Sequence, residues 1–245
     1  MKSSGRNNSR HVDRFLEMMS AERGAAENSL QAYARDLSHY LEFLQGQGVT
    51  LEAATSDTIR DYLASLETHG FSRATAARRL SAVRQFHRFM HGEGTMAANP
   101  AAIVESPKSI RGLPQTLSAQ EIGMLLAQAG ARVELAEGKA RFKAERLRCL
   151  LELLAATGLR VSELVGLTAR AVTADDAFLT IKGKGGRERL VPISDRARGV
   201  LAGYIKSLGG QSKWLFPSHG AGGCLTRQHF ALELKHLAVA CGLNA

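Results

Sequence analysis

Residues 155–167 read AATGLRVSELVGL, and the placement of Arg160 in this run decides how the whole chain is read. A long apolar segment precedes it; Leu164 and Leu167 follow as an inward stripe. Gly158 can give the first helix its left-handed stop, which puts Arg160 at the start of the next. An arginine held between two buried apolar segments needs an anionic partner, because an unpaired buried charge is costly. Glu163, one turn on, is the local candidate. It can hold the guanidinium by one edge and leave the other to take two oxygens of a phosphate. A purely structural Arg160–Glu163 ion pair fits this segment equally well.

Upstream, Ser118 and Glu121 have the spacing of a capping box, and Ile122, Leu125 and Leu126 begin a core-facing helix. A second helix is expected from about Arg141 to Thr157. Its leucines 147, 150, 151, 153 and 154 make it apolar on most faces, hence central. Downstream the period changes from helix to strand. FLTIK and RERLVPI flank Gly183-Lys184-Gly185-Gly186, the pattern of a β-hairpin. Lys184 sits between glycines, where backbone can approach a ligand closely, with Lys182, Arg187 and Arg189 around it. A lysine there can protonate a leaving oxygen; a solvated hairpin tip is the other reading. Arg196–Leu208 reads as helix again, and Thr226 can cap a last one ending near Gly242.

The first hundred residues read as four amphipathic helices, a small bundle. Val12, Phe15, Leu16 and Met19 follow the i, i+3, i+4, i+7 rule, with Gly24 as the stop. Asn28, Ser56 and Ser72 are the expected caps of the next three helices. Residues 1–10, MKSSGRNNSR, are polar and are expected to be disordered. The helical unit then covers 11–96. Three of the chain's five prolines, Pro100, Pro107 and Pro114, mark 97–116 as a linker, and 117–245 form the second unit. The fold class is mainly α with one small hairpin.

Across its 245 residues the chain carries a net charge of +9, which favours a polyanionic partner, usually nucleic acid. No apolar run approaches the roughly 18 residues of a membrane span, and no signal peptide is evident. Three cysteines without a CxxC pair point to reduced thiols in the cytoplasm. The fourth expected helix concentrates the charge. Arg73, Arg78, Arg79, Arg84 and Arg88 lie in residues 71–92, which hold no acidic residue. At about 100° per residue, Arg73, Arg84 and Arg88 fall within roughly 60° of one another. Ala76, Leu80, Val83 and Met90 form the neighbouring apolar arc. Such a basic face suits a phosphate backbone, which it positions rather than specifies.

ATGLRVSELVGL, the GKGGRERLVPI hairpin and the LFPS…LTRQ segment together resemble the tyrosine recombinases, the phage integrase family. Within it, the chain is most similar to the bacterial Xer branch that resolves chromosome dimers at cell division. The resemblance runs from about residue 10 to the end. It implies a helical, SAM-like core-binding domain over 11–96 and an α+β catalytic domain over 117–245, clamped around DNA. It further implies that Arg160 stabilises charge on the phosphate oxygens, that Lys184 helps protonate the leaving 5′-oxygen, and that Glu163 supports the arginine. A tyrosine attacks the phosphate and forms a 3′-phosphotyrosyl link. The link stores the bond energy, so no metal or cofactor is implied. The implied partners are double-stranded DNA with a specific recombination site, a homologous recombinase in a heterotetramer, and a DNA translocase at the division septum. No membrane is implied.

The family's His-x-x-Arg box and its tyrosine are not found after the hairpin. The one His-x-x-Arg, His11 to Arg14, falls in the first unit. Tyr33, Tyr40 and Tyr62 fall on bundle stripes, and Tyr204 shares one with Val200, Leu201 and Leu208. No nucleophile is therefore assigned, and the C-terminal part of the catalytic domain is expected to be missing. The sequence leaves three readings: a fragment of a full recombinase, a natural short form that binds DNA or a partner recombinase without cutting, and an unrelated basic helical regulator. The last leaves the Arg160 motif and the hairpin unexplained.

Overall fold

Polar caps and left-handed glycines cut the chain into its helices. In a computed structural model, residues 2–108, 116–172, 177–183, 188–210, 212–220 and 222–243 are described. The chain divides into two compact units, Met1–Leu113 and Pro114–Ala245.

The first unit holds α1 (Lys2–Ala21), α2 (Glu27–Gly46), α3 (Ser56–Thr68) and α4 (Arg73–Gly92). Residues 2–10, which the sequence marks as disordered, are instead the first turns of α1. Nucleation is the costly step of helix formation, so the stripe from Val12 onward lets the helix propagate backward through polar residues. The caps also shift. α2 starts at Glu27, whose carboxylate suits the helix dipole, rather than after Asn28. Thr55 caps α3, exchanging backbone and side-chain bonds with Thr58 at 3.2 Å each. Ser56 instead donates to the Pro100 carbonyl at 2.7 Å. Ser72 caps α4 as expected, accepting the Thr75 N–H. Phe15, Tyr40, Leu44, Ile59, Tyr62, Leu80 and Phe86 form the core.

The expected linker begins inside this unit. Met96, Ala101 and Val104 are buried in the bundle core, and Arg84 donates to the Val104 carbonyl. Proline marks extended backbone, but extended backbone can still pack.

The second unit holds α5 (Ala119–Leu135), α6 (Gly138–Thr157), α7 (Val161–Val165), a 3₁₀ turn (Ala169–Ala171), β1 (Phe178–Lys182), β2 (Glu188–Pro192), α8 (Asp195–Leu208) and α9 (Arg227–Ala240). The capping box opens α5, with the Ser118 N–H 2.7 Å from Glu121 Oε2 and the Glu121 N–H 3.2 Å from Ser118 Oγ. Thr226 caps α9. α6 packs against α5, α7 and α8, with Leu147, Cys149, Leu150, Leu151 and Leu153 buried. It also buries two charges that its apolar appearance hid. Arg146 pairs with Glu233 of α9 at 2.6 Å, and Glu152 with Arg196 of α8 at 2.7 Å.

β1 and β2 pair antiparallel, Leu179 opposite Val191 and Ile181 opposite Arg189. Leu179 and Ile181 are buried, so this face of the hairpin looks inward. The segment 213–217 runs beside the end of α7: the Leu215 N–H meets the Leu167 carbonyl at 2.8 Å, and the Ala169 N–H meets the Lys213 carbonyl at 3.0 Å.

Candidate functional site

The site begins with a forced turn. Gly158 ends α6 at φ +60°, a left-handed conformation that glycine adopts without steric cost. Leu159 then drops into the core, and Arg160 becomes the N-cap of α7. Leu164, Val165 and Leu167 are buried and anchor this short helix. The sequence places Arg160 between buried segments; its side chain is instead 76% exposed. The apolar residues on either side turn inward, and the cap position between them turns out.

Glu163 gathers the cations. Its Oε2 accepts the Arg160 backbone N–H at 2.9 Å, and its Oε1 accepts Arg160 Nη1 at 3.1 Å. The same two oxygens accept Arg189 Nη1 at 3.0 Å and Nη2 at 2.8 Å. Arg189 therefore grips the carboxylate as a fork, the strongest form of this pair. Glu163 is only 10% exposed. The Arg189 fork, reinforced by the Arg160 bonds, holds its carboxyl down at about 2. The carboxylate in turn raises Arg189 above its ordinary value. Among the described residues, only Nη1 of the Arg160 guanidinium is engaged. The side chain is 76% exposed, which leaves the guanidinium in a position to meet an anion.

Arg189 is the site residue that motif reading misses, because in the sequence it is one basic neighbour of the hairpin among several. The signal that finds it is strand parity: side chains alternate between faces, so the inward face that carries Val191 also carries Arg189. Arg189 stays 42% exposed, and from that face its fork reaches Glu163, the acidic residue of the neighbouring motif. Lys182 ends β1 opposite Glu188. Lys184 and Arg187, expected in the site, lie outside the described residues.

The basic helix is less uniform than its sequence. Arg78 pairs with Asp36, a buried residue of α2. Arg79, its side chain 12% exposed, lies 3.8 Å from the same carboxylate and stacks 4.2 Å over Phe71. Arg84 is engaged by Val104. Arg73 and Arg88 are exposed and without a partner among the described residues.

Each tyrosine hydroxyl is occupied or enclosed. Tyr33 accepts from Gln85 at 2.9 Å, Tyr40 meets His87 Nε2 at 3.0 Å, and Tyr62 meets His39 Nδ1 at 3.2 Å. Tyr204 is sandwiched between Phe142 and Phe216, with ring centroids 5.6 and 5.5 Å away. Burial pushes the phenols of Tyr40, Tyr62 and Tyr204 above their ordinary range. Among the described residues, no group of His, Cys, Asp or Glu could hold a metal, and no helix is long and apolar enough to cross a membrane.

Comparison with known proteins ties these features together. The phage integrase N-terminal SAM-like domain matches residues 12–94, and the phage integrase family matches residues 117–245. Tyrosine recombinase XerD of Bradyrhizobium diazoefficiens is 47% identical over 243 residues, covering 94% of this chain and 76% of the relative. XerD of Rhizobium meliloti is 46% identical, covering 96% and 76%. Among solved structures, a lambda integrase dimer bound to a COC′ core site superposes with a TM-score of 0.71 at 21% identity, covering all of this chain and 68% of that one. The XerH recombinase bound to palindromic difH substrate gives 0.67 at 20% identity, covering 95% and 68%. Both units are thus matched, over nearly the whole length, and the chain belongs to the phage integrase family of tyrosine recombinases.

Proposed function

We propose that this chain acts in site-specific DNA recombination by phosphoryl transfer, supplying groups that grip the DNA backbone and polarise the phosphate being exchanged. The observation that carries the reading is Arg160: an exposed guanidinium, held at one nitrogen by a carboxylate that Arg189 also grips. Donors placed where charge develops act without reorganising at the moment of reaction. In the proposed step a tyrosine oxygen attacks phosphorus and the phosphorus–5′-oxygen bond breaks. Lys184 gives a proton to the departing oxygen, and the 3′-phosphotyrosyl link keeps the bond energy. Within residues 1–245 we assign Arg160 and Lys184 to catalysis and Glu163 to support. No tyrosine is assigned as nucleophile, since all four hydroxyls are occupied or enclosed. These residues therefore bind and orient DNA without cutting it. The reading extends to a cytoplasmic role in resolving chromosome dimers at cell division, on a specific double-stranded site; the relatives named tyrosine recombinase XerD support its recombinase part. A lambda integrase tetramer bound to a Holliday junction supports assembly with a second recombinase.

The test starts from DNA of random sequence. A duplex is selected by rounds of binding to the protein, and its phosphates are replaced one at a time by neutral methylphosphonate. One phosphate is expected whose replacement weakens wild-type binding roughly tenfold and leaves Arg160→Ala binding unchanged. If no phosphate depends on Arg160, the reading fails.

A further inference from the structure

We propose that Arg189 is the positioning residue for Arg160, acting through Glu163 to fix the direction of the phosphate-facing guanidinium. The inference rests on the functional reading above and adds to it a residue from a different element. An ionised carboxylate offers about four lone-pair sites. On Glu163 four N–H groups take them: two from the Arg189 fork, one from the Arg160 backbone and one from Arg160 Nη1. The Arg160–Glu163 pair by itself is a three-residue contact with one partner 76% exposed. Such surface pairs hold little, because two flexible side chains must be ordered in water. The Arg189 fork changes this by locking the plane of the carboxylate with two parallel bonds. Oε1 is then a fixed acceptor for Arg160 Nη1 rather than a rotating one.

The strand that carries the fork is itself anchored. Arg189 belongs to β2, opposite Ile181, and Ile181 is buried. The clasp therefore ties a strand of the hairpin to the turn that carries Arg160. It also corrects the local charge. Glu163 alone would cancel Arg160; with Arg189 present, two cations face one anion, and a net positive charge is left for the phosphate. Lysine at 189 would restore the charge but not the fork, so Arg189→Lys separates the two contributions.

The experiment uses the full chain with Arg189→Lys and, as a second variant, Glu163→Gln. The first readout is made without DNA: side-chain ¹⁵N relaxation at Arg160 Nε. An ordered guanidinium is expected in the wild type, and a mobile one in both variants, with Trp214 fluorescence confirming that the second unit stays folded. The second readout is the methylphosphonate scan. At the phosphate that depends on Arg160, the roughly tenfold wild-type loss is expected to fall below about twofold in Arg189→Lys. Losses at phosphates that depend on Arg73 or Arg88 stay as they were. A guanidinium as ordered in Arg189→Lys as in the wild type, or one mobile in the wild type, overturns the proposal. So does an undiminished methylphosphonate loss in that variant. A scan with no Arg160-dependent phosphate overturns the functional reading, and the relaxation measurement then decides the positioning role alone.

Discussion

Arg73 and Arg88 have no partner among the described residues, while Arg78, Arg79 and Arg84 of the same helix are tied to Asp36 and Val104. This separates the arginines of α4 left unpaired among the described residues from those tied into the bundle. The double change Arg73→Ala, Arg88→Ala is expected to lower the slope of log binding constant against log salt by about two, at roughly 0.9 per lost phosphate contact. The unfolding midpoint stays where it was. Asp36→Ala should do the reverse. It leaves Arg79, 12% exposed, without its carboxylate, at a cost on the order of 3 kcal/mol, and barely moves the salt slope. Salt titrations of binding and denaturant unfolding followed by tyrosine near-ultraviolet circular dichroism distinguish the two. An unchanged slope in the double variant would remove α4 from the DNA-binding face. The arginine count on α4 is plain in the sequence, but its division into free and engaged side chains is not. That division depends on Asp36, 42 residues away from Arg78, and on a carbonyl of the proline-marked segment.

At the scale of elements, helix periods and caps carry most of the information. The capping box of α5, the glycine stop of α6 and the hairpin all follow from side chains within a few residues of one another. α6 shows where such local reading ends. Its leucines mark it as central, yet Arg146 and Glu152 are buried in it because α9 and α8 bring Glu233 and Arg196 to meet them. Charges buried this way are worth little as pairs and much as broken pairs. Glu233→Ala leaves Arg146 buried and unpaired and should cost the second unit about 3 kcal/mol or more. Arg146→Met keeps the volume and removes the charge, so it should cost much less. Trp214 is the chain's one tryptophan and lies in the second unit, so its fluorescence during denaturation reports the comparison directly. Equal losses would mean that Arg146 contributes mainly by packing its stem. The Glu163 clasp follows the same logic. Its Arg160 half is a local spacing, and its Arg189 half needs the hairpin folded back onto α7.

For the whole molecule, the two units carry separate reporters and separate responses to acid. Tyr33, Tyr40 and Tyr62 lie in the first unit and Trp214 in the second. His87 is fully buried on α4, and burial pushes it down to about 4. Burial also lowers His39 in the same unit. A histidine lowered in the fold takes its proton more readily when unfolded, so stability is lost as pH falls from about 6.5 towards 4. For His87 this amounts to about 2 kcal/mol at pH 5. Glu163, lowered to about 2, stays ionised over that window, and its contribution is lost only below about 4.5. In a Tyr204→Phe background, where every remaining tyrosine lies in the first unit, the tyrosine-detected transition should therefore move to lower denaturant between pH 7 and 5, the Trp214 transition should move less, and His87→Leu should remove most of the difference. Parallel shifts would show that the units unfold together. The same distribution of tyrosines governs chemistry. Covalent attack needs an oxygen within about 3–3.5 Å of phosphorus, ideally one whose proton is easily lost. Three of the four phenols belong to the bundle, not to the unit of Arg160, and the fourth is stacked between Phe142 and Phe216 with its hydroxyl enclosed. Burial makes Tyr204 harder to ionise, the opposite of activation. On a nicked suicide duplex, residues 1–245 are expected to bind DNA and to leave no protein–DNA adduct on a denaturing gel. An adduct abolished by Tyr204→Phe would mean that α8 swings Tyr204 out of its aromatic sandwich to reach DNA. An adduct that survives that change and is lost with Arg160→Ala would place the nucleophile among groups that look spoken for here. The absence of any adduct, together with Arg160-dependent phosphate binding, would show that gripping the phosphate and attacking it are separable in this fold.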